Sequence, residues 1–223
     1  MAMRRRRLII GVAGALALAG CASGPGLTAA GNLATDHVGA DAGQLVVAIG
    51  NRPGGPGTYY TSYTLVFQRA DAPADGPVGT LSFKPGMWPT GDKPDYKLRD
   101  DVGVVLVASL PAGNYRIVDF GASTMVGNTA QHFSLKERIA TPFRVEAGKL
   151  SYLGHYRASG QRGKNIFGMP LPAGVLWDIG SQAEADLALA RARNTTKLLP
   201  DVIDLTPKAA DVGSPAFRDR QAG

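Results

Sequence analysis

Apolar and polar positions alternate with period two along much of the chain. The clearest case is Tyr60 to Arg69, where Tyr63, Leu65 and Phe67 alternate with Ser62, Thr64 and Gln68. Such alternation predicts a half-buried β-strand, because successive side chains of a strand point to opposite faces. Gln44 to Gly50, Val78 to Lys84, Val102 to Ser109, Asn114 to Phe120, Thr141 to Glu146, Leu150 to Tyr156 and Ala173 to Ile179 repeat the theme, with Pro, Gly, Asn or Asp in most gaps. Leu110-Pro111-Ala112-Gly113-Asn114 and Ala147-Gly148-Lys149 read as tight hairpin turns in which glycine supplies a positive φ. Many short strands at this spacing predict a mainly β chain, an antiparallel β-sandwich.

Only one stretch reads as a helix. Ser181-Gln182-Ala183-Glu184 has a capping-box pattern, acids precede bases up to Lys197, and Ala183, Leu187 and Ala190 make an apolar stripe. The expected C-terminal helix, 181–197, packs on a sheet face or edge. Val202 to Leu205 closes the fold, and Thr206 to Gly223 reads as a loose tail. The expected organisation is therefore 1–20 signal, 21–43 tether, 44–205 a single folded domain, and 206–223 tail.

The beginning of the chain follows neither period. Arg4 to Arg7 precede the apolar run Leu8 to Ala19, and Leu18-Ala19-Gly20-Cys21 follows with small residues. Twelve apolar residues suit a secretory signal but fall short of the roughly 20 needed to span a bilayer. The Leu-Ala-Gly-Cys order resembles the lipobox of bacterial lipoproteins. That resemblance implies diacylglyceryl transfer to the Cys21 sulfur, cleavage before it, and a membrane partner through the N-terminal lipid. Ala22, where inner-membrane lipoproteins often carry Asp, implies the outer membrane, with the domain on its periplasmic face. Ala22 to Gly43 is rich in Ala, Gly and Thr and reads as a flexible tether.

Cleavage changes the charge argument. The 24 basic residues lose four arginines with the signal and then stand against 18 acids, leaving +2 on 203 residues. A nucleic-acid partner loses its electrostatic footing. Cys21 is the sole cysteine, so no disulfide, thiolate nucleophile or zinc–thiolate site is expected, and the domain must be held by its own core.

The pattern Leu110 to Tyr115 with Pro142-Phe143 through Gly154 is similar to a pair of hairpins in uncharacterised bacterial envelope proteins of the prealbumin-like and immunoglobulin-like β-sandwich type. It covers about a third of the domain, consists of turn glycines and core aromatics, and implies a fold without implying an activity.

Reactive constellations are absent at useful specificity. Gly121-Ala122-Ser123 lacks the second glycine of a nucleophile elbow. His37, His132 and His155 are far apart; His37 falls in the tether, and His155 reads as a half-exposed sheet residue. Pro53 and Pro56 remove donors that a phosphate cradle would need from the loop Gly50 to Gly57. No cofactor or metal is expected. The most suggestive surface is Lys84 to Asp101, which carries Met87, Trp88 and Tyr96 among Asp92, Asp95, Asp100 and Asp101. Trp88 and Tyr96 beside Asp92 and Asp95 would suit a glycan, by ring stacking and carboxylate hydrogen bonds, or a protein interface.

Three functions follow as expectations. The first is a lipid-anchored, non-enzymatic envelope module that binds or assembles with a protein partner. The second is a binder of glycan or another small ligand. The third is a hydrolase pairing Asp92 or Asp100 with Asp119 or Asp178.

Overall fold

The computed structural model describes residues 32–53, 60–85, 91–126, 128–193 and 197–220. The chain is mainly β, with two sheets and two helices. Its elements are β1 Ala42–Asn51, β2 Tyr60–Arg69, β3 Val78–Phe83, β4 Tyr96–Leu98, β5 Asp101–Pro111, β6 Gly113–Val126, β7 Thr129–Phe133, β8 Thr141–Val145, β9 Leu150–Lys164, β10 Pro170–Gly180, α1 Ala183–Arg193, β11 Val202–Asp204, α2 Ala209–Val212 and β12 Phe217–Asp219.

One sheet has seven strands, in the order β12-β10-β9-β1-β5-β4, with β11 also pairing β9. The other has five, in the order β3-β2-β6-β7, with β8 also pairing β6. Pairing is antiparallel except where β9 runs parallel to β1 and β11, and β10 parallel to β12. The period-two positions of β1 and β2 face each other across a common core: Leu45, Val47 and Ile49 on one side, Tyr63, Leu65 and Phe67 on the other. Trp177 of β10 lies edge-on to Tyr63 at 5.9 Å between ring centroids and 5.1 Å from Phe120 of β6, so aromatic rings fill the space between the sheets.

The apolar run of β1 has a second cause. Its other face, Val46 and Ala48, is covered by α1 through Leu187 and Ala190, so the strand is buried on both sides. The expected apolar stripe of the helix is the face that makes this contact.

Three expectations change. Leu110 to Asn114 and Ala147 to Lys149 are not hairpin turns: β5 and β9 lie in the large sheet, β6 and β8 in the small one, so both connections carry the chain from one sheet to the other. Gly148 has the expected positive φ of 72°, whereas Gly113 does not need one. The Tyr115 hydroxyl donates to Pro111 O at 2.8 Å and pins the first crossing. From Thr206 the chain, expected to be loose, carries α2 and β12, buries Val212 and Phe217, and continues β10 in register from Trp177 to Ile179. The second half of the expected tether is also laid on the domain, with His37 N bonded to Ser109 O at 3.0 Å and Leu33 N to Val78 O at 2.7 Å.

Candidate functional site

The helix covers a line of buried ionisable groups. Tyr152 and His155 of β9 are three residues apart, so strict alternation would send them to opposite faces. Gly154, with φ of 108°, sits at the register shift against β1, and the bulge turns both side chains toward α1. There they meet Asp186, which points inward from the helix. Its Oδ2 accepts from the Tyr152 hydroxyl at 2.5 Å and lies 3.1 Å from His155 Nδ1. On the other side of the ring, His155 Nε2 is 2.9 Å from Asp101 Oδ2 and 3.1 Å from the Tyr96 hydroxyl. Asp101 Oδ2 also accepts from Arg220 Nη1 at 3.0 Å, which ties the last described residue to the sheet.

His155, Asp101 and Asp186 are all at most 1% exposed. Burial alone would push the imidazole pKa down, but the hydrogen bonds and charges of Asp101 and Asp186 outweigh it and raise the pKa. With a carboxylate facing each ring nitrogen, the imidazolium donates on both sides. Burial, and then carboxylate charge from Asp101 and Asp186 at Tyr96 and from Asp186 at Tyr152, push both hydroxyls far above their ordinary range, so both stay neutral.

Gly50 and Gly103 are cross-strand partners on β1 and β5, and the Tyr96 hydroxyl lies against both. A Cβ at either position would occupy its place, and one at Gly50 would also meet Asp101 Oδ1. Beside this network, Arg157 of β9 is bonded to Asp178 and to Asp100, and Arg218 to Asp178. Burial raises the Asp178 pKa, but bonds from Arg218 and Arg157 outweigh it and leave the group below its ordinary range.

The residues singled out in the sequence fall as follows. Cys21 and Trp88 lie outside the described residues. Asp92 Oδ2 accepts from Lys84 N at 2.7 Å and holds the base of its loop. Asp95 Oδ2 accepts from Val105 N at 2.7 Å and from Arg193 Nη1 at 3.0 Å, joining the loop to α1. Tyr96 is 8% exposed and belongs to the buried line. Of the carboxylates considered for hydrolysis, Asp100 and Asp178 are brought together, but around the Arg157 guanidinium. Asp119 takes Leu135 N at 3.1 Å. Ser123 Oγ lies 3.0 Å from His132 Nδ1 across the β6–β7 pair, on an exposed strand surface and with no carboxylate bonded to the ring among the described residues. Among those residues no group of His, Cys, Asp or Glu is arranged to hold a metal.

Two clefts adjoin these residues. One, of about 490 Å³, lies along α1 between Leu98, Ala188 and Leu189, with Tyr96, His155 and Asp186 also lining it. The other, of about 500 Å³, opens between the sheets at Phe120, Phe133 and Trp177, with His132 also in its lining.

The feature not read from the sequence is an arm. Beyond residue 158, β9 no longer pairs with β1, and β10 pairs with β12 only from Trp177; the base of the β9–β10 ribbon is held by Tyr60, whose hydroxyl donates to Gly174 O at 2.6 Å, and past it the ribbon pairs with no other strand among the described residues. At its tip Ile166 is 92% and Phe167 78% exposed, with Met169 and Leu171 also exposed. The turn is closed from within: Asn165 Oδ1 accepts from Phe167 N and Met169 N at 2.9 Å each, and Gly168 takes φ of 77°. A signal was available in the sequence, because this apolar turn sits in a stretch from Ala158 to Trp177 with no acidic residue.

No protein-family model matches this sequence, and no curated protein does. Among solved structures, a leucine-rich repeat protein from Bacteroides thetaiotaomicron shares 17% identity over 52% of this chain, with a TM-score of 0.30; the match spans 14% of that longer protein. A likeness at that level carries no argument about fold or function.

Proposed function

We propose that the protein is a lipid-anchored, non-enzymatic component of the bacterial cell envelope that works as an interaction module, and that the tip of the β9–β10 arm is its contact surface. The observation that carries this reading is the exposed apolar set Ile166, Phe167, Met169 and Leu171 on a turn ordered by its own hydrogen bonds. Single exposed apolar side chains are ordinary, but four clustered on one projection mark a contact site. The two facing sheets and the shared aromatic core support a β-sandwich of immunoglobulin-like or prealbumin-like type, a scaffold that presents loops and ribbons to partners.

The buried Asp101–His155–Asp186 line is read as structural. Asp101 Oδ2, both ring nitrogens of His155 and the Asp186 carboxylate are bonded to one another and to Arg220, Tyr96 and Tyr152, while Asp101 Oδ1 is buried without a partner among the described residues, and the line fastens α1 and the C-terminal segment to the sheet. The paired acids Asp100 and Asp178 are likewise spent on arginines, which favours the non-enzymatic reading over a carboxylate hydrolase.

Anchoring rests on Arg4 to Cys21, and Cys21→Ser should abolish metabolic labelling with palmitate. The contact is tested by Ile166→Asp with Phe167→Asp in the lipidated protein. The protein should stay folded and membrane-bound through its N-terminal lipid, yet lose the envelope crosslinks that a photoreactive residue at Met169 forms in the parent. Crosslinks unchanged by the substitutions would remove the arm from the reading.

A further inference from the structure

Resting on that reading of the arm, we infer that its partner is a lipid surface carrying anionic headgroups, into which the Asn165–Leu171 turn inserts as a second membrane attachment, separate from the N-terminal lipid. Three features converge on the tip. The first is its apolar content at a convex point. Ile166, Phe167 and Met169 radiate from the end of a two-stranded ribbon. A bilayer accepts such a point without a matching cavity, whereas an ordinary protein interface needs a complementary surface of about 800 Å² on each side.

The second is the backbone. Hydrocarbon cannot hydrogen-bond to a peptide group, so a loop that enters it must satisfy its amides internally. Here Asn165 N donates to Met169 O at 3.0 Å, Gly168 N to Asn165 O at 2.9 Å, and the Asn165 side chain takes the amides of Phe167 and Met169. Pro170 and Pro172 have no N–H to satisfy.

The third is charge. Arg162 and Lys164 are the only charged residues from Ala158 to Trp177, both are exposed, and neither is in an ion pair among the described residues. Placed two residues apart on β9, they share one side of the ribbon just behind the apolar tip, at the depth where headgroups would lie.

The attachment is distinct from the N-terminal one because the two lie at opposite ends of the domain. The chain meets the fold beside Ser109, which is level with Gln44 and Leu150, while the tip follows Lys164. The length of β9 separates them by about 45 Å.

The test uses the whole mature chain from position 21 with Cys21→Ser, which removes the lipid and the only thiol. Phe167→Cys, with Met169→Cys as a second reporter, carries an environment-sensitive nitrobenzoxadiazole label. Val38→Cys, 92% exposed at the other end, is the reference. Vesicles of phosphatidylcholine with phosphatidylglycerol should shift the emission of both tip labels to the blue and leave Val38→Cys unchanged. Phosphatidylcholine alone should do so weakly. Arg162→Gln and Lys164→Gln should each raise the anionic lipid needed about fivefold. Tip labels that stay water-like on anionic vesicles overturn the inference. If a crosslinker at the tip then still captures one envelope protein in cells, the arm remains a contact with a protein partner; if it captures none, the contact reading falls as well.

Discussion

His155 Nδ1 of β9 and Asp186 Oδ2 of α1 meet 3.1 Å apart in a space closed to solvent. The pair joins α1, the longer of the two helices among the described residues, to a central strand of the larger sheet, and it couples the stability of that join to protonation. The raised pKa of His155 means that its contribution is fully present below the unfolded histidine value of about 6.5 and is lost as pH rises through the higher folded value. Thermal melts should therefore show a Tm that declines from neutral into alkaline pH. His155→Gln should lower Tm at pH 6 and flatten that decline. A slope that His155→Gln leaves intact would place the titrating group elsewhere.

Asp178 sets the opposite limb. Held below its ordinary range by Arg218 and Arg157, it contributes above the unfolded carboxylate value and is lost as pH falls through the lower folded one. Asp178→Asn should shrink the loss of stability between about pH 4 and more acid conditions, and at neutral pH should cost about 2 kcal/mol by leaving Arg157 with Asp100 as its remaining carboxylate. Urea titrations at several pH values would read both effects.

Gly50 and Gly103 leave the space that the Tyr96 hydroxyl occupies. Gly103→Ala should destabilise the domain by about 1–3 kcal/mol as the ring is forced from its place. Tyr96→Phe removes the hydroxyl that the new methyl would strike and leaves its clash with the Ile49 carbonyl oxygen and the Gly50 Cα, so the double variant should lose less than the sum of the two single changes. A double-mutant cycle in urea measures that coupling; strict additivity would mean that Tyr96 does not lie over the glycines.

Phe217 packs against Phe120 with 5.0 Å between ring centroids, beside Trp177. Phe217→Ala should cost about 3 kcal/mol and render the segment after Thr206 sensitive to protease. A tail that only decorates the domain would show neither effect.

How far the sequence revealed this architecture depended on which signals were local. β2 runs from Tyr60 to Arg69 as its alternation predicts, and the stripe Ala183, Leu187, Ala190 identifies the covered face of α1. The crossings at Leu110–Asn114 and Ala147–Lys149 carry turn residues that describe how the chain bends and say nothing about which sheet it joins next. His155 was expected to be half-exposed because strict alternation takes no account of the bulge at Gly154, and Asp186 looked like a dipole-compensating acid of the first helical turn rather than the partner of two β9 side chains. Phe217 gave no periodic signal, since three residues are too few to show one. The apolar tip leaves no periodic signal because Ile166 and Phe167 sit in a turn, which has no alternation of buried and exposed positions.

Ile166 and Phe167 are exposed and make no part of the core, so Ile166→Asp with Phe167→Asp should change Tm by less than about 1 °C while altering envelope association. The most direct measurement of the central claim is a crosslinking scan in living cells. A photoreactive residue is placed in turn at Ile166, Phe167 and Met169 of the arm and at the equally exposed Val38. The account expects envelope adducts, lipid or protein, from the three arm positions and none from Val38. Adducts from Val38 with none from the arm would show that the protein meets its surroundings through another face.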